Sequence, residues 1–366
     1  QGAAHLCRRR VMARRDLLVP AGIAALGIAA GLLAERIIVG RQVRYDADAE
    51  EDFGALHGRT VTVMADDGVG LHVEIDDHRA PSVSDDLTVI FCHGYSLNQD
   101  SWHFQRRDLR PFARLVFADQ RAHGKSTKGE RSRSTVDQLG LDLGRIVDEV
   151  GGDGPIILVG HSMGGMSVMA LAAHRPELFT DGPVAGVALL ATTAGGLSES
   201  PFGMPAPIGR ALHKIAPSVV EAALAQGDLI EFGRRYGNDL GLWLTKKYSF
   251  GSNVSPALTN FTSEMINATP IEVIAEFLPG LEAHEKAEAL AAMTGVEALV
   301  MVGDKDLLTP PSHSAEIIRR MPQAEFELLA DTGHMLMLER FPEVNYALRE
   351  LISRVRRNAN ESDAGS

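Results

Sequence analysis

The chain is poor in cysteine and in clustered positive charge. Its 366 residues include two cysteines, Cys7 and Cys92, so the sequence supports neither a disulfide framework nor a cysteine-based metal site. The formal net charge is −12 and no long basic run follows residue 44, which argues against nucleic acid as a partner. The histidines lack metal-ligand spacing, so we predict no metal and no cofactor. The expected ligand is a small, neutral molecule.

Charge is also missing from one stretch near the start of the sequence. Leu17 to Ala34 is uncharged, and a helix of this length spans about 27 Å, close to the thickness of the bilayer core. We predict a membrane-spanning signal anchor over residues 17–40, after a basic segment at 1–16 and before a linker at 41–58. Arginine is more frequent before the apolar run than after it, which places the large domain that follows outside the cytoplasm.

Two other interpretations of this segment remain open. In the first it is a cleaved export signal, because Arg14 and Arg15 precede the apolar run as in a twin-arginine signal. The Ala-x-Ala pattern expected at a cleavage site occurs after the run only at Ala47-Asp48-Ala49, far beyond its end. In the second it is a packing helix of a cytoplasmic protein, since its many alanines and glycines lower its hydrophobicity. The sequence leaves the oligomeric state open.

From residue 59 onward, short apolar runs alternate with helical spacing. A hairpin is predicted around the turn at 65–68, and further short runs predict strands over 87–92, 114–118, 156–159, 184–190, 298–302 and 325–329. Helical spacing follows at 136–150, 163–178, 317–321 and 344–355. Such alternation predicts an α/β fold with a mostly parallel, doubly wound sheet. We assign its core to residues 59–195 and 286–356 and a disordered tail to 357–366.

A long interval separates two of the predicted strands. About a hundred residues lie between the run at 184–190 and the next one, far more than an ordinary connection needs. Helical patterns recur in it at 208–215, 219–232 and 265–277. We therefore predict a helical cap over residues 196–285 that forms one wall of a substrate pocket.

The most informative motif is a serine between two glycines. An apolar run over 156–159 leads into Gly160-His161-Ser162-Met163-Gly164, and a helical pattern follows. A strand that turns sharply into a helix needs a close approach of its two arms, which Gly160 and Gly164 permit. Ser162 would then stand near a helix N-terminus, where free N–H groups favour negative charge. Its hydroxyl needs a base to act as a nucleophile.

Candidates for that base and its partner follow later strands. His334 comes after the strand at 325–329, and Asp306 comes after the strand at 298–302. The carboxyl ends of parallel strands share one edge, so both side chains are expected near Ser162. His334 would accept the serine proton, and Asp306 would orient the imidazole. The backbone N–H groups of Met163 and Tyr95 are the expected donors to the oxyanion.

Taken together, five segments resemble the α/β-hydrolase family, in its branch of serine-nucleophile esterases and lipases. They are His93-Gly94, the segment 119–126, Gly160 to Gly165, Gly303 to Pro310, and Gly333-His334, and the resemblance spans residues 59–355. It implies the α/β-hydrolase fold, the triad and the oxyanion donors named above.

The resemblance also assigns supporting residues. It favours Asp306 over the alternative Asp304, because the family places the acid three residues after the glycine. His93 and Gly94 would support the oxyanion loop, and His161 would support the turn at Ser162. One departure is Ala122, at a position where glycine is frequent.

These observations predict an enzyme that hydrolyses carboxylic esters, with apolar or lipid-like substrates. The same triad could instead act on thioesters, lactones, amides or carbon–carbon bonds, or form peracids. Epoxide hydrolysis and dehalogenation are disfavoured because Ser162, not Asp, stands at the turn. A binding protein without catalysis is the alternative from another class. Trp102 and Phe104 could line an acyl pocket or pack in the core.

Overall fold

The central element is a sheet of eight strands, seen in a computed structural model that describes residues 51–77, 87–197 and 238–365. Within those residues, the strands are β1 (Arg59–Met64), β2 (Gly70–Asp76), β3 (Thr88–Cys92), β4 (Arg114–Ala118), β5 (Ile156–His161), β6 (Val184–Leu190), β7 (Glu297–Gly303) and β8 (Glu325–Leu329).

The sheet is parallel over most of its width. Its strand order is β1-β2-β4-β3-β5-β6-β7-β8; β1, β2 and β4 pair antiparallel, and every pairing from β4 across to β8 is parallel. β1 and β2 form the predicted antiparallel hairpin, closed by Gly68 N donating to Ala65 O at 2.9 Å. The prediction of a mostly parallel α/β sheet is confirmed.

Helices cover both faces of this sheet. They are α1 (His103–Leu109), α2 (Val136–Val150), α3 (Met163–His174), α4 (Glu177–Thr180), α5 (Asn238–Ser249), α6 (Pro256–Ala268), α7 (Ile271–Glu282), α8 (Pro311–Arg320), α9 (Leu336–Glu339) and α10 (Phe341–Gly365). Short 3₁₀ helices occur at Gln99–Trp102 and Arg131–Arg133, and a longer one occurs at Ala287–Met293.

Alternate residues of the central strands enter two separate apolar layers. Ile90 and Leu158 pack in the layer that includes α2, α3 and α8, whereas Phe91 and Val159 pack in the layer that includes α1 and α10. This alternation is the two-residue period of a strand buried on both faces. Trp102 and Phe104 belong to the second layer and are fully buried, so of the two interpretations above, core packing is the one observed.

The part of the cap that the structure describes is helical. α5, α6 and α7 occupy residues 238–282, and the pattern at 265–277 is divided between α6 and α7, because Pro270 disfavours helical backbone at Thr269. Likewise, α3 ends at His174 before Pro176, so the predicted helix over 163–178 is interrupted. The patterns at 208–215 and 219–232 lie outside the described residues, and the assignment of the cap to 196–285 stays a prediction.

The end of the chain differs from the predicted tail. α10 continues to Gly365, so residues 357–365 are helical. Their polar composition reflects an exposed helix, which Asn358 Nδ2 ties to Glu297 Oε1 at 2.8 Å. At the other end, the predicted anchor at 17–40 lies outside the described residues. Among the residues that are described, no helix is both long and apolar enough to span a membrane.

Candidate active site

Ser162 stands at the turn between β5 and α3 in a strained conformation. Its φ is 52° and its ψ is −118°, a combination that non-glycine residues rarely adopt. Backbone hydrogen bonds hold it there: Ser162 N donates to Leu190 O at 2.9 Å, and Gly165 N donates to Ser162 O at 2.9 Å. Thr192 Oγ1 donates to the same carbonyl at 2.7 Å. This is the geometry of a nucleophile elbow, which holds the serine clear of the sheet.

The two glycines of the motif are required by close packing. A Cβ at Gly160 would lie 2.5 Å from Gly165 N, and a Cβ at Gly164 would overlap the carbonyl oxygen of Cys92. Both obstacles are backbone and cannot rotate away. The turn therefore accepts only glycine at these positions, as the motif predicts.

The structure brings His334 and Asp306 together at the carboxyl edge of the sheet. His334 Nδ1 lies 2.9 Å from Asp306 Oδ2, and both side chains are almost fully buried. The Asp306 carboxylate also accepts from the backbone N–H groups of Leu308 and Thr309 at 2.8 and 2.9 Å, and from Thr309 Oγ1 at 2.9 Å. These bonds fix the carboxylate against the imidazole ring.

The charge on Asp306 is stabilised despite its burial. Burial alone would raise the pKa of this carboxyl, but the positive charge available on His334 and the hydrogen bonds to the carboxylate outweigh it, so the pKa lies below its usual value. Asp304, the alternative acid, instead accepts from Thr332 N at 3.1 Å and closes a turn. Of the two aspartates, it is Asp306 that contacts the histidine.

Ser162 and His334 line the same cavity, whose volume is about 200 Å³. Among the described residues, no hydrogen bond joins the Ser162 hydroxyl to the His334 ring, so proton transfer requires the two side chains to approach each other. Such contacts are commonly loose before substrate binds.

The two residues predicted to supply oxyanion donors both line this cavity. Tyr95 follows β3, Met163 follows the serine, and both residues line the cavity. Within the described part of the chain, neither N–H donates a hydrogen bond to another group. Free backbone donors at the start of a helix and beside a serine are suited to bind an oxyanion.

His93 and Gly94 hold the loop that carries Tyr95. His93 Nδ1 donates to Gly94 O at 2.8 Å, and its Nε2 accepts from Gln120 N at 2.9 Å, so the ring is neutral with a defined tautomer. Complete burial lowers the pKa of His93 to about 4. A Cβ at Gly94 would lie 2.7 Å from His161 Nδ1, so the loop packs directly on the elbow.

His161 connects the turn at Ser162 to the loop that carries His334. Its Nε2 donates to His334 O at 3.0 Å, and burial lowers its pKa to about 3. A neutral ring of this kind is a structural group rather than a second base. Its Nδ1 has no partner among the described residues.

The segment after β4 forms a buried polar network beneath the site. Arg121 is paired with Asp67 at 2.9 Å and with Asp142 at 2.5 Å. Ala122 has a φ of 63°, in the left-handed region, which gives a physical reason for the frequent glycine at this position. Among the described residues, no cluster of His, Cys, Asp or Glu is arranged to hold a metal ion.

One polar residue at the site escaped sequence reasoning. Glu339 is buried and has no cationic partner among the described residues; its carboxylate accepts from Gly333 N at 2.7 Å, from Gly251 N at 3.0 Å and from Ser252 N at 2.6 Å. Burial raises its pKa. Glu339 thus joins the His334 loop to the segment that links α5 and α6. The available signal was an acidic residue ending the apolar run Met335 to Leu338.

Comparisons with known proteins agree with this fold. The model of the alpha/beta hydrolase family matches residues 89–345. The chain is 26% identical over 263 residues to a dihydrolipoyllysine-residue acetyltransferase component of an acetoin cleaving system from Cupriavidus necator, covering 72% of this chain and 63% of that protein. It is 24% identical to an sn-1-specific diacylglycerol lipase from Mus musculus, covering 67% of this chain and 74% of the lipase.

A solved structure shows the same fold. A thermophilic esterase from Thermogutta terrifontis superposes with a TM-score of 0.63 at 24% identity, covering 81% of this chain and 99% of the esterase. The chain spans 63% of the length of the acetyltransferase relative, so the likeness concerns one part of that protein. Because the family model matches residues 89–345, well over half of the sequence, the chain belongs to the alpha/beta hydrolase family.

Proposed function

We propose that the protein is a serine hydrolase that cleaves carboxylic esters of apolar acids. The observation that carries the proposal is the strained Ser162 in one cavity with His334, which a buried Asp306 orients. The esterase and lipase among the similar proteins support ester hydrolysis.

The mechanism follows from the positions of these groups. Ser162 Oγ attacks the ester carbonyl carbon while His334 Nε2 accepts the proton of the Ser162 hydroxyl. Asp306 stabilises the resulting imidazolium. The N–H groups of Tyr95 and Met163 bind the oxyanion. When the tetrahedral intermediate collapses, His334 returns the proton to the departing alcohol, leaving an acyl group on Ser162. Water then attacks the acyl group by the same steps and releases the acid.

The cavity lining favours an uncharged acyl group. Its described lining is mainly apolar, and apart from His334 and His161 it contains no ionisable side chain other than the Tyr95 phenol. A carboxylate placed there would lose its hydration without gaining a cationic partner. The apolar lining residues include Leu97, Met166, Leu197, Ile266, Leu281, Leu308 and Met335.

Chromogenic esters of graded acyl length test the proposal. We expect kcat/KM to rise about 4-fold for each added methylene until the cavity is full, because each buried methylene contributes about 0.8 kcal/mol. A monoester of a dicarboxylic acid of matched length should be a poor substrate, because its free carboxylate would enter the apolar cavity. Ser162→Ala should abolish turnover and labelling by a fluorophosphonate probe. Turnover that persists in this variant would refute the proposal, and labelling without turnover of any ester would direct the search to thioesters, lactones or amides.

A further inference from the structure

The side chain of Tyr95 reaches a helix of the cap. Its hydroxyl donates to the carbonyl oxygen of Ile274 in α7, a residue 179 positions later in the chain. The loop residue that presents an oxyanion donor is therefore also hydrogen-bonded to the helix above the cavity. Burial raises the pKa of the phenol, so it remains a donor throughout the working pH range.

A second contact joins the same helix to the same loop. The buried His123 ring lies 5.3 Å from the Phe277 ring of α7 and 6.3 Å from the Tyr95 ring, measured between ring centroids. His123 is in turn 5.5 Å from His93 at the base of the oxyanion loop. Aromatic rings at these separations are in contact.

The other oxyanion donor packs in the same place. Met163 shares one apolar cluster with Val273, Phe277 and Leu281, which are the buried residues of α7, and Tyr95 packs against this cluster. Both residues that carry the proposed donors, Tyr95 and Met163, therefore pack with the same cap helix, α7. An oxyanion hole requires its donors within a few tenths of an ångström of their working positions.

The oxyanion loop also needs an external restraint. Ser96, the residue after Tyr95, has a φ of 59°, which a serine adopts only when its surroundings impose it. His93 fixes the loop on one side of Tyr95 through Gln120. On the other side, the Tyr95 hydroxyl provides a hydrogen bond to the cap.

We propose that the Tyr95 hydroxyl is a positioning group that couples helix α7 to the oxyanion hole, so that the cap helix and the oxyanion loop form one unit. This proposal rests on the proposed function, in which the Tyr95 N–H binds the oxyanion. Tyr95 thereby has two roles: its backbone contacts the reacting oxygen, and its hydroxyl holds that backbone in place.

The test is Tyr95→Phe, which keeps the ring and the backbone N–H and removes only the hydroxyl. We expect kcat to fall about 3- to 10-fold with KM unchanged, because one hydrogen bond that holds the loop is lost and the donor is less well placed in the transition state. The rate of phosphonylation by a fluorophosphonate should fall by the same factor, since that reaction also develops charge on an oxygen in the oxyanion hole.

Lys128→Ala is the matched control. It removes the exposed ion pair with Glu276 at 2.8 Å, which also reaches α7, but it leaves the oxyanion loop untouched. We expect its kcat to match the wild type. Equal kcat in Tyr95→Phe and wild type, or a change confined to KM, would overturn the coupling while leaving the proposed function intact.

A second variant guards against misfolding. Phe277→Leu loosens α7 from the His123 and Tyr95 rings without altering the loop itself, and it should lower kcat in the same direction. Thermal unfolding midpoints establish that each variant is folded. An unchanged kcat in folded Phe277→Leu would also overturn the coupling. If the wild-type protein neither turns over esters nor reacts with the probe, the proposed function itself fails.

Discussion

Replacing Asp306 with asparagine isolates the role of one charge at the site. The side chains have the same shape, so the backbone N–H groups of Leu308 and Thr309, which both bond to Oδ1, hold the amide oxygen in place of that atom. The amide nitrogen then occupies the position of Oδ2, 2.9 Å from His334 Nδ1. A nitrogen that donates there forces the His334 ring into the other tautomer, with its proton on Nε2.

The size of the effect follows from that tautomer. With Nε2 protonated, the ring cannot accept the proton of Ser162, and no negative charge remains to stabilise an imidazolium. The loss expected for a triad in the wrong tautomer is on the order of 10⁴-fold in kcat, or about 5 kcal/mol of transition-state stabilisation. Substrate binding should change little, because Asp306 is buried behind the histidine and does not line the cavity.

Hydrolysis of a chromogenic ester by purified variants measures this directly. The matched control is Asp304→Asn on the same loop, whose carboxylate accepts from Thr332 N and does not contact the ring. We expect this control to stay within about 3-fold of the wild type. The reasoning would be refuted if Asp306→Asn kept more than a tenth of the wild-type kcat while folded, or if both variants lost activity equally.

The remaining predictions concern the surroundings of the triad. Glu339→Ala leaves the backbone donors of Gly251, Ser252 and Gly333 without an acceptor, so the free energy of unfolding should fall by about 3 kcal/mol or more in urea titrations; a loss below about 1 kcal/mol would contradict this. Gly164→Ala forces a methyl group against a carbonyl and should destabilise the protein by about 3 kcal/mol or more, whereas Gly295→Ala, which meets open space, should be nearly neutral. The stability of the whole protein should also fall as the pH drops from about 6.5 to about 4, because the unfolded chain binds protons that buried neutral histidines do not. Each such histidine contributes a slope of about 1.4 kcal/mol per pH unit, and carboxyl groups whose pKa is raised by burial, such as Asp142 and Glu339, contribute in the opposite direction, so a stability that rises as the pH falls through this range would contradict the assignment. The histidines with strongly lowered pKa values are His93, His123, His161 and His284.

The sheet and the arrangement of the candidate triad could be predicted because their signals are local. Buried parallel strands are short apolar runs, and Ser162, Asp306 and His334 each follow one of them. Parallel strands bring their carboxyl ends to one edge, so sequence position alone indicated that these side chains lie near each other. The helix ends at His174 and Ala268 were missed, although Pro176 and Pro270 stand just after them and proline restricts the residue before it.

Contacts between distant segments could not be predicted in this way. The bond from Tyr95 to Ile274 joins residues 179 positions apart, and the bonds from Glu339 to Gly251 join residues 88 positions apart. No periodicity or motif in the sequence marks either pair, because each contact depends on how the cap is placed on the sheet. The sequence showed that a carboxylate ends the run after His334 but not which donors would surround it.

These two distant contacts together define how the described part of the cap relates to catalysis. Glu339 joins the segment between α5 and α6 to the loop that carries His334, the candidate base. The Tyr95 hydroxyl joins α7 to the loop that carries the candidate oxyanion donor. If Tyr95 has the proposed positioning role, substitutions that shift α7 should alter kcat as well as substrate preference. Side chains that line the cavity without joining either link, such as Ile266, are the positions where substrate preference can change alone.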